Sequence, residues 1–156
     1  MDHNEYAASL GKIVGNFHAL ELCLRLFLCE ARNEKYALPG AGATMVALSH
    51  LTNFDSLGRL IEKYNASLLP TENRYRIDPK IVRIRDALAH GRSVSATGSF
   101  PITLYKFSKA KVAGMVSVEF AEVLDEMWLN EAAGNIFIFV QKVTVCAKSR
   151  SYTWMD

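Results

Sequence analysis

The chain has 156 residues, half of them apolar and 22% charged, with a formal net charge of +2. That length fits one domain with one core, and the composition is that of an ordinary globular protein rather than a disordered or fibrous chain. So small a net charge permits nucleic acid as a partner without demanding it.

Three cysteines, Cys23, Cys29 and Cys146, form no CxxC pair. Cys23 and Cys29 are six apart, about 240° around a helix, and so do not share a face. They read as small buried apolar residues of a reducing compartment. The start, Met-Asp-His-Asn-Glu, lacks the basic region of a signal peptide. No stretch reaches the roughly 18 uncharged apolar residues of a membrane span. Glu21 and Arg25 interrupt Leu20–Cys29, and Ile136–Val140 is only five residues long. A cytoplasmic protein without a membrane partner is expected.

In chain order, residues from about Asn4 to Arg32 read as one helix. Leu10, Ile13, Val14, Phe17, Leu20, Leu24, Phe27 and Leu28 recur at three- and four-residue steps. Leu22, Cys23, Leu26 and Cys29 widen that stripe, which predicts burial on more than one side and hence a partner subunit beside the core. Gly11, Gly15 and Ala19 lie four apart and would let another helix approach. A loop is expected from Asn33 to Ala43, around Pro39-Gly40, then a short helix from Thr44 to Leu51. A further helix is predicted with Thr52 as its N-cap and Phe54, Leu57, Leu60, Ile61 and Tyr64 on its core face. Leu68 to Ile77 reads as a loop.

Asp78-Pro79 predicts a helix start, with Asp78 capping the free amides and Pro79 in the first turn. This helix carries Ile81, Ile84, Ala87 and Leu88 and ends at His90, with Gly91 as its stop. Phe100 to Val118 is rich in β-branched and aromatic residues and reads as a β-hairpin inserted between helices, with Gly114 weakening it or marking a bulge. The last helix is predicted from about Glu119 to Lys148, with Phe120, Val123, Leu124, Met127 and Trp128 at helical spacing. Gly134-Asn135 is a possible kink, and Ile136–Val140 has strand propensity but keeps the helical step. The expected fold class is mainly α, a single domain over 1–156.

The basic residues cluster. Arg74, Arg76, Lys80, Arg83, Arg85 and Arg92 face only Asp78 and Asp86 between positions 74 and 92. Such a segment attracts phosphate, although a solvated helix face would look the same. Within it, Arg85 precedes His90 by five residues, Asp86 follows the arginine, and His90 closes a capped helix.

Arg85-Asp86-Ala87-Leu88-Ala89-His90-Gly91 resembles the motif of the HEPN superfamily: an arginine, a polar neighbour, and a histidine after a gap of four to six residues near a helix end. The order of a long first helix containing Phe17-His18-Ala19-Leu20-Glu21, a middle helix, the motif helix and a closing helix is similar to that family's. The resemblance implies a HEPN-like helical bundle, with the hairpin at about 100–118 as an insertion outside the family core. It implies a homodimer whose two motifs face each other across one cleft, and RNA cleavage needing no metal or other cofactor. Some members are catalytically silent modules that bind a partner protein or nucleotide. Others act in toxin–antitoxin or antiviral systems, which would add an antitoxin or regulatory protein as partner.

The residue types suit that chemistry. RNA is cut without a metal when its 2′-hydroxyl attacks the adjacent phosphorus. The reaction needs a base, an acid for the leaving 5′-oxygen, and positive charge for the phosphorane. Histidine can serve as base or acid, and a helix C-terminus favours its protonated form. Arg85 can hold two phosphate oxygens in a planar fork. Asp86, four before His90 on the same helix face, is expected to orient the imidazole. Arg83, Arg92 and Arg76 are the expected phosphate contacts. One motif supplies one histidine, so a twofold dimer is needed to divide the base and acid roles.

Against this, His90 could simply end a helix by bonding a local carbonyl. His18 falls among core positions, and His3 and His50 read as surface or local contacts. Phe17, Phe27, Trp128, Phe137 and Phe139 read as core. Tyr75, Tyr105, Phe107 and Trp154 fall in expected loops, hairpin and tail, where rings can stack on RNA bases. GxSxG, P-loop, HExxH and GxGxxG motifs are missing, and no spacing suggests a metal site.

Overall fold

Helix α1 spans His3–Ala31, close to the predicted range. Its start is a reciprocal cap: the Glu5 amide donates to the Asp2 carboxylate at 2.8 Å, and the Asp2 amide donates to the Glu5 carboxylate at 2.7 Å. Its end is set by Asn33, which adopts φ +52°, while the Glu34 amide returns to the Cys29 carbonyl at 2.9 Å. Asparagine tolerates that left-handed conformation better than most residues.

The computed structural model describes residues 1–36, 42, 45–95, 98 and 100–155. Thr44 and most of the expected loop at 33–43, Pro39-Gly40 included, lie outside the described residues. The remaining elements are α2 (Leu57–Ser67), a 3-10 helix (Pro70–Tyr75), α3 (Ile81–His90), β1 (Arg92–Val94), β2 (Ile102–Val112), β3 (Met115–Leu124), α4 (Glu126–Ser149) and a 3-10 turn (Thr153–Met155). The protein is therefore mainly α, with one three-stranded antiparallel sheet in the order β1-β2-β3. No helix among the described residues is long and apolar enough to cross a membrane.

The chain forms two compact units: residues 1–15 with 80–135, and residues 16–79 with 136–156. Both α1 and α4 supply residues to each unit. The first unit buries Ile13, Ile81, Ala87, Leu104, Leu124, Leu129 and Ala132. The second buries Phe17, Leu20, Leu24, Phe27 and Leu28 of α1, Leu57, Leu60, Ile61 and Tyr64 of α2, and Ile136, Val143 and Cys146 of α4. Phe27 meets Tyr64 edge-on with ring centroids 4.8 Å apart. A part-buried ion pair closes this unit: Arg150 donates to both oxygens of Glu72, to the Ser67 carbonyl at 2.9 Å and to the Tyr152 hydroxyl at 3.1 Å. The Arg150 guanidinium holds the Glu72 carboxyl down to about 2, against the opposing effect of burial.

Several expectations fail for identifiable reasons. Residues 45–51 form no helix; Arg25 ties down the chain that follows, donating to the carbonyls of His50, Asn53 and Asp55 at 2.9–3.0 Å. Thr52 is not the N-cap of α2; its hydroxyl donates to the Ala47 carbonyl at 2.7 Å. Ser56 caps instead, accepting from the Arg59 amide, and Phe54 is fully exposed rather than in the core. α3 opens two residues after Pro79, through a tight turn in which the Arg83 amide reaches the Lys80 carbonyl at 3.0 Å.

The last helix does not begin at Glu119. Residues 115–124 pair with 102–112 as the second strand of the hairpin, with two register irregularities, and Asp125 caps α4 by accepting from the Trp128 amide at 2.8 Å. Phe120, Val123 and Leu124 are therefore strand residues, and Met127 is 67% exposed. Gly114 marks the turn, not a bulge: Ala113 and Gly114 both take positive φ, the backbone that a two-residue hairpin loop requires. α4 runs through Gly134-Asn135 unbroken and keeps Ile136–Val140 helical. β1 has no counterpart in the sequence expectations.

Candidate functional site

The motif lies on α3, in the first unit. Ile81 and Ala87 are buried, Ile84 and Leu88 are half-buried, and Arg83 and His90 are exposed. His90 is the last helical residue, and the chain then turns directly into β1. Gly91 stops the helix differently from expected. Its φ of −77° and ψ of 178° are ordinary extended backbone, so a left-handed cap is not the reason for glycine here. Its amide donates to the Ala87 carbonyl at 2.7 Å. A Cβ at this position would lie 2.3 Å from that oxygen, 2.7 Å from a Leu104 methyl and 2.8 Å from the Tyr105 carbonyl. Glycine is needed because α3 and β2 approach closely, and that approach fixes where His90 stands.

His90 lines a concavity of about 670 Å³ together with Asp86, Lys106, Phe107, Ser108, Lys109 and Glu119. The hairpin, which sequence reasoning set aside as an insertion, thus supplies most of its wall. Two irregularities in the β2–β3 register aim these residues. Lys106 pairs with Phe120 and Phe107 with Val118, which leaves Glu119 unpaired as a bulge; β2 then carries extra residues between Phe107 and Lys111. The Ser108 hydroxyl stitches the second irregularity, accepting from the Ser117 amide at 3.1 Å and donating to the Ala110 carbonyl at 3.0 Å. Bulges of this kind re-aim side chains and are not legible from alternation alone.

Charge in the site is arranged around Lys106. Its ammonium lies 3.1 Å from Glu119 and 3.9 Å from Asp86. Asp86 also meets its neighbour Arg85 at 3.3 Å. No hydrogen bond links Asp86 to His90 among the described residues, nor does His90 bond a local carbonyl there; the imidazole is presented to solvent. Arg83 is partly committed, its guanidinium donating to the Glu119 carbonyl at 2.7 Å, where it braces the bulge. Arg92 sits at the start of β1 with its guanidinium 5.7 Å from the Phe107 ring.

The sequence-derived residues do not all converge. Asp86 and His90 share the concavity, and Arg83 joins Lys106 and Glu119 in a smaller one of about 330 Å³ beside Phe120. Arg85 and His90, five apart, diverge by about 140° around the helix. Arg76 belongs to the second unit, where it lines a separate concavity of about 570 Å³ with Asn65, Phe139 and Lys142. Lys106, Lys109, Ser108 and Glu119 were missed; the one signal for them was the lysine-rich stretch from Lys106 to Lys111.

Of the other histidines, His3 is at the surface as expected, whereas His18 and His50 differ from expectation. His18 is exposed. His50 is 7% exposed and meets Glu34 at 2.6 Å through Nδ1, while its amide donates to the same carboxylate at 2.9 Å. Burial would raise the Glu34 carboxyl, but the His50 amide and ring outweigh it and lower it. His3 packs edge-on against Phe100. Among the aromatics, Phe17 and Phe27 are core, whereas Phe137 is half-exposed and Tyr75 is buried. Burial raises all three thiols, Cys23, Cys29 and Cys146. No group of three metal-ligating side chains forms among the described residues.

Compared with models of known protein families, with curated proteins and with solved structures, the chain matches none.

Proposed function

We propose that the chain is a metal-independent endoribonuclease of HEPN type, acting as a homodimer with His90 as its proton-transfer group. The observation that carries the reading is the position of His90: unpaired and exposed at a helix C-terminus, lining a concavity whose wall holds Lys106, Lys109 and Ser108. In the proposed reaction one imidazole takes the proton of the RNA 2′-hydroxyl. The 2′-oxygen bonds to phosphorus, the bond to the 5′-oxygen breaks, and a second imidazole protonates that oxygen. The products are a 2′,3′-cyclic phosphate and a 5′-hydroxyl. One chain holds one such histidine, so the second comes from a second copy. Lys106 and Lys109 neutralise the phosphate, and Arg85, about 140° around the helix from its own His90 and paired only with its neighbour Asp86 among the described residues, would serve the cleft from the other copy.

A catalytically silent module is the second reading. It is favoured by the Arg85–Asp86 contact and by the lack of an Asp86–His90 bond, since neither residue then serves the imidazole of its own chain. The two readings separate in one experiment. Labelled single-stranded RNA is incubated in EDTA with wild type and with His90→Ala, and both proteins are melted in parallel. Wild-type cleavage leaving a cyclic phosphate, lost in a variant with unchanged Tm, supports the nuclease. Equal cleavage by both overturns it, and inert wild type supports the module.

A further inference from the structure

We propose that the outward face of the sheet is a stacking platform for two successive unpaired RNA bases, built on Tyr105 and Phe107; it rests on the reading that RNA is the ligand of this unit. β2 is the central strand. Leu104 and Lys106 face α3: Leu104 is buried beside Gly91, and Lys106 reaches Asp86. Strand alternation therefore puts Thr103, Tyr105 and Phe107 on the opposite face. The two rings lie nearly parallel, 16° apart in plane with centroids 6.1 Å apart.

Among the described residues, no large side chain stands opposite them on β3. Ala121 stands opposite Tyr105 on β3 and is exposed, and Val118, opposite Phe107, is 56% exposed. On β1, Arg92 stands opposite Tyr105 and places its guanidinium 5.7 Å from the Phe107 ring. Two parallel, half-exposed rings at alternate positions of a central strand, with a guanidinium beside them, match the flat faces of bases, which stack whatever their sequence.

Charge decides both the occupant and its path. Arg92, Lys109 and Lys111 make no ion pair among the described residues, and they lie toward the Phe107 and hairpin end. At the other end Tyr105 shares a concavity with Glu122, Asp125 and Glu131, which repels phosphate. An anionic strand is thereby steered along the Phe107 side. Phe107 also lines the His90 concavity, so a base stacked on it delivers its neighbouring phosphate toward the histidine. An acidic protein surface would satisfy the cations but would leave the paired rings without a planar partner.

The test is fluorescence anisotropy with an end-labelled single-stranded RNA in EDTA, carried out in the His90→Ala protein so that the ligand stays intact. Phe107→Leu and Tyr105→Leu should each weaken binding roughly 10-fold, while Phe107→Tyr should stay within about 2-fold of the parent. Arg92→Ala should reduce the slope of log affinity against log salt by about 0.7, the value for one single-strand phosphate. If a leucine variant melts early, RNA with abasic sites against the parent protein replaces it, and affinity should fall by a similar factor. Unchanged affinity for both the leucine variants and the abasic RNA overturns the platform. So does a change in sedimentation without a change in RNA affinity, which would make this face a protein interface. Loss of binding in Phe107→Leu with an inert wild type upholds the platform and removes the nuclease. His90-dependent cleavage with affinity indifferent to Phe107 does the reverse.

Discussion

Gly91 brings the end of α3 so close to β2 that a Cβ on it would stand 2.8 Å from the Tyr105 carbonyl. The residue after His90 therefore couples the motif helix to the strand that carries Lys106 and Phe107. Gly91→Ala should cost about 2 kcal/mol or more, because its nearest obstacle is backbone, the Ala87 oxygen at 2.3 Å, which cannot rotate away. Urea titration measures the loss. A variant as stable as wild type would mean that this approach is looser than described.

Lys106 serves two carboxylates beside His90, at 3.1 Å and 3.9 Å. Lys106→Met leaves Asp86 and Glu119 facing any incoming phosphate without their shared cation. RNA affinity should drop roughly 5- to 10-fold, and Glu119→Gln in the same chain should recover part of it. Failure of the second substitution to help would show that Lys106 acts through shape and not charge.

The proposed homodimer can be tested on α1. The later girth of α1 that looked too apolar for one chain is largely buried within it: Leu24, Leu26, Phe27, Leu28 and Cys29 are all buried. Among the residues exposed along α1 are Ala8, Gly11, Lys12, Val14, Gly15, His18, Ala19 and Leu22. A Cβ on Gly11 or Gly15 meets nothing within 4 Å. Gly15→Leu should therefore leave the single chain folded while holding a second helix away. Sedimentation at micromolar concentration should give twice 17.4 kDa for wild type and 17.4 kDa for the variant. A monomeric wild type removes the composite cleft, since each site would then hold one histidine.

The Glu72–Arg150 pair sets an acid limit. Glu72 titrates at about 2, below its ordinary 4.5, so its contribution is fully present above the ordinary value. It is lost as pH falls from about 4.5 toward about 2, a loss on the order of 3 kcal/mol. Glu34 and Asp55, also lowered, act in the same direction. Glu72→Gln should destabilise at neutral pH, because it leaves Arg150 short of its partner. It should also flatten the dependence of stability on pH between 5 and 3, read from urea midpoints. An unchanged slope would assign acid unfolding to other carboxylates.

Ala113 holds φ +51° at the hairpin tip, where Gly114 takes +78°. An L-residue with a Cβ is strained there by roughly 1 kcal/mol, and asparagine less so. Ala113→Asn should raise stability by about 0.5–1 kcal/mol. A fall would indicate a turn of another type.

The sequence alone determined α1, the helical state of Ile136–Val140, the motif helix ending at His90, and a hairpin near 100–118. These rest on local physics: apolar residues at three- and four-residue steps, β-branched runs, and a helix stop beside a glycine. Where a tertiary contact outweighed local preference, the pattern misled. Arg25 took the Asn53 and Asp55 carbonyls, which the helix expected to open at Thr52 would have used, and the ladder with β2 drew residues 119–124 into β3 although their spacing suited a helix. Only the tertiary structure decided the composition of the candidate site. Lys106, Ser108 and Glu119 reach His90 because a close approach at Gly91 and two register irregularities bring hairpin and helix together. It also decided that Arg76 stands in the other unit. Contacts between residues far apart in the chain leave no periodic trace, and a bulge that re-aims a side chain breaks the alternation by which a strand is read.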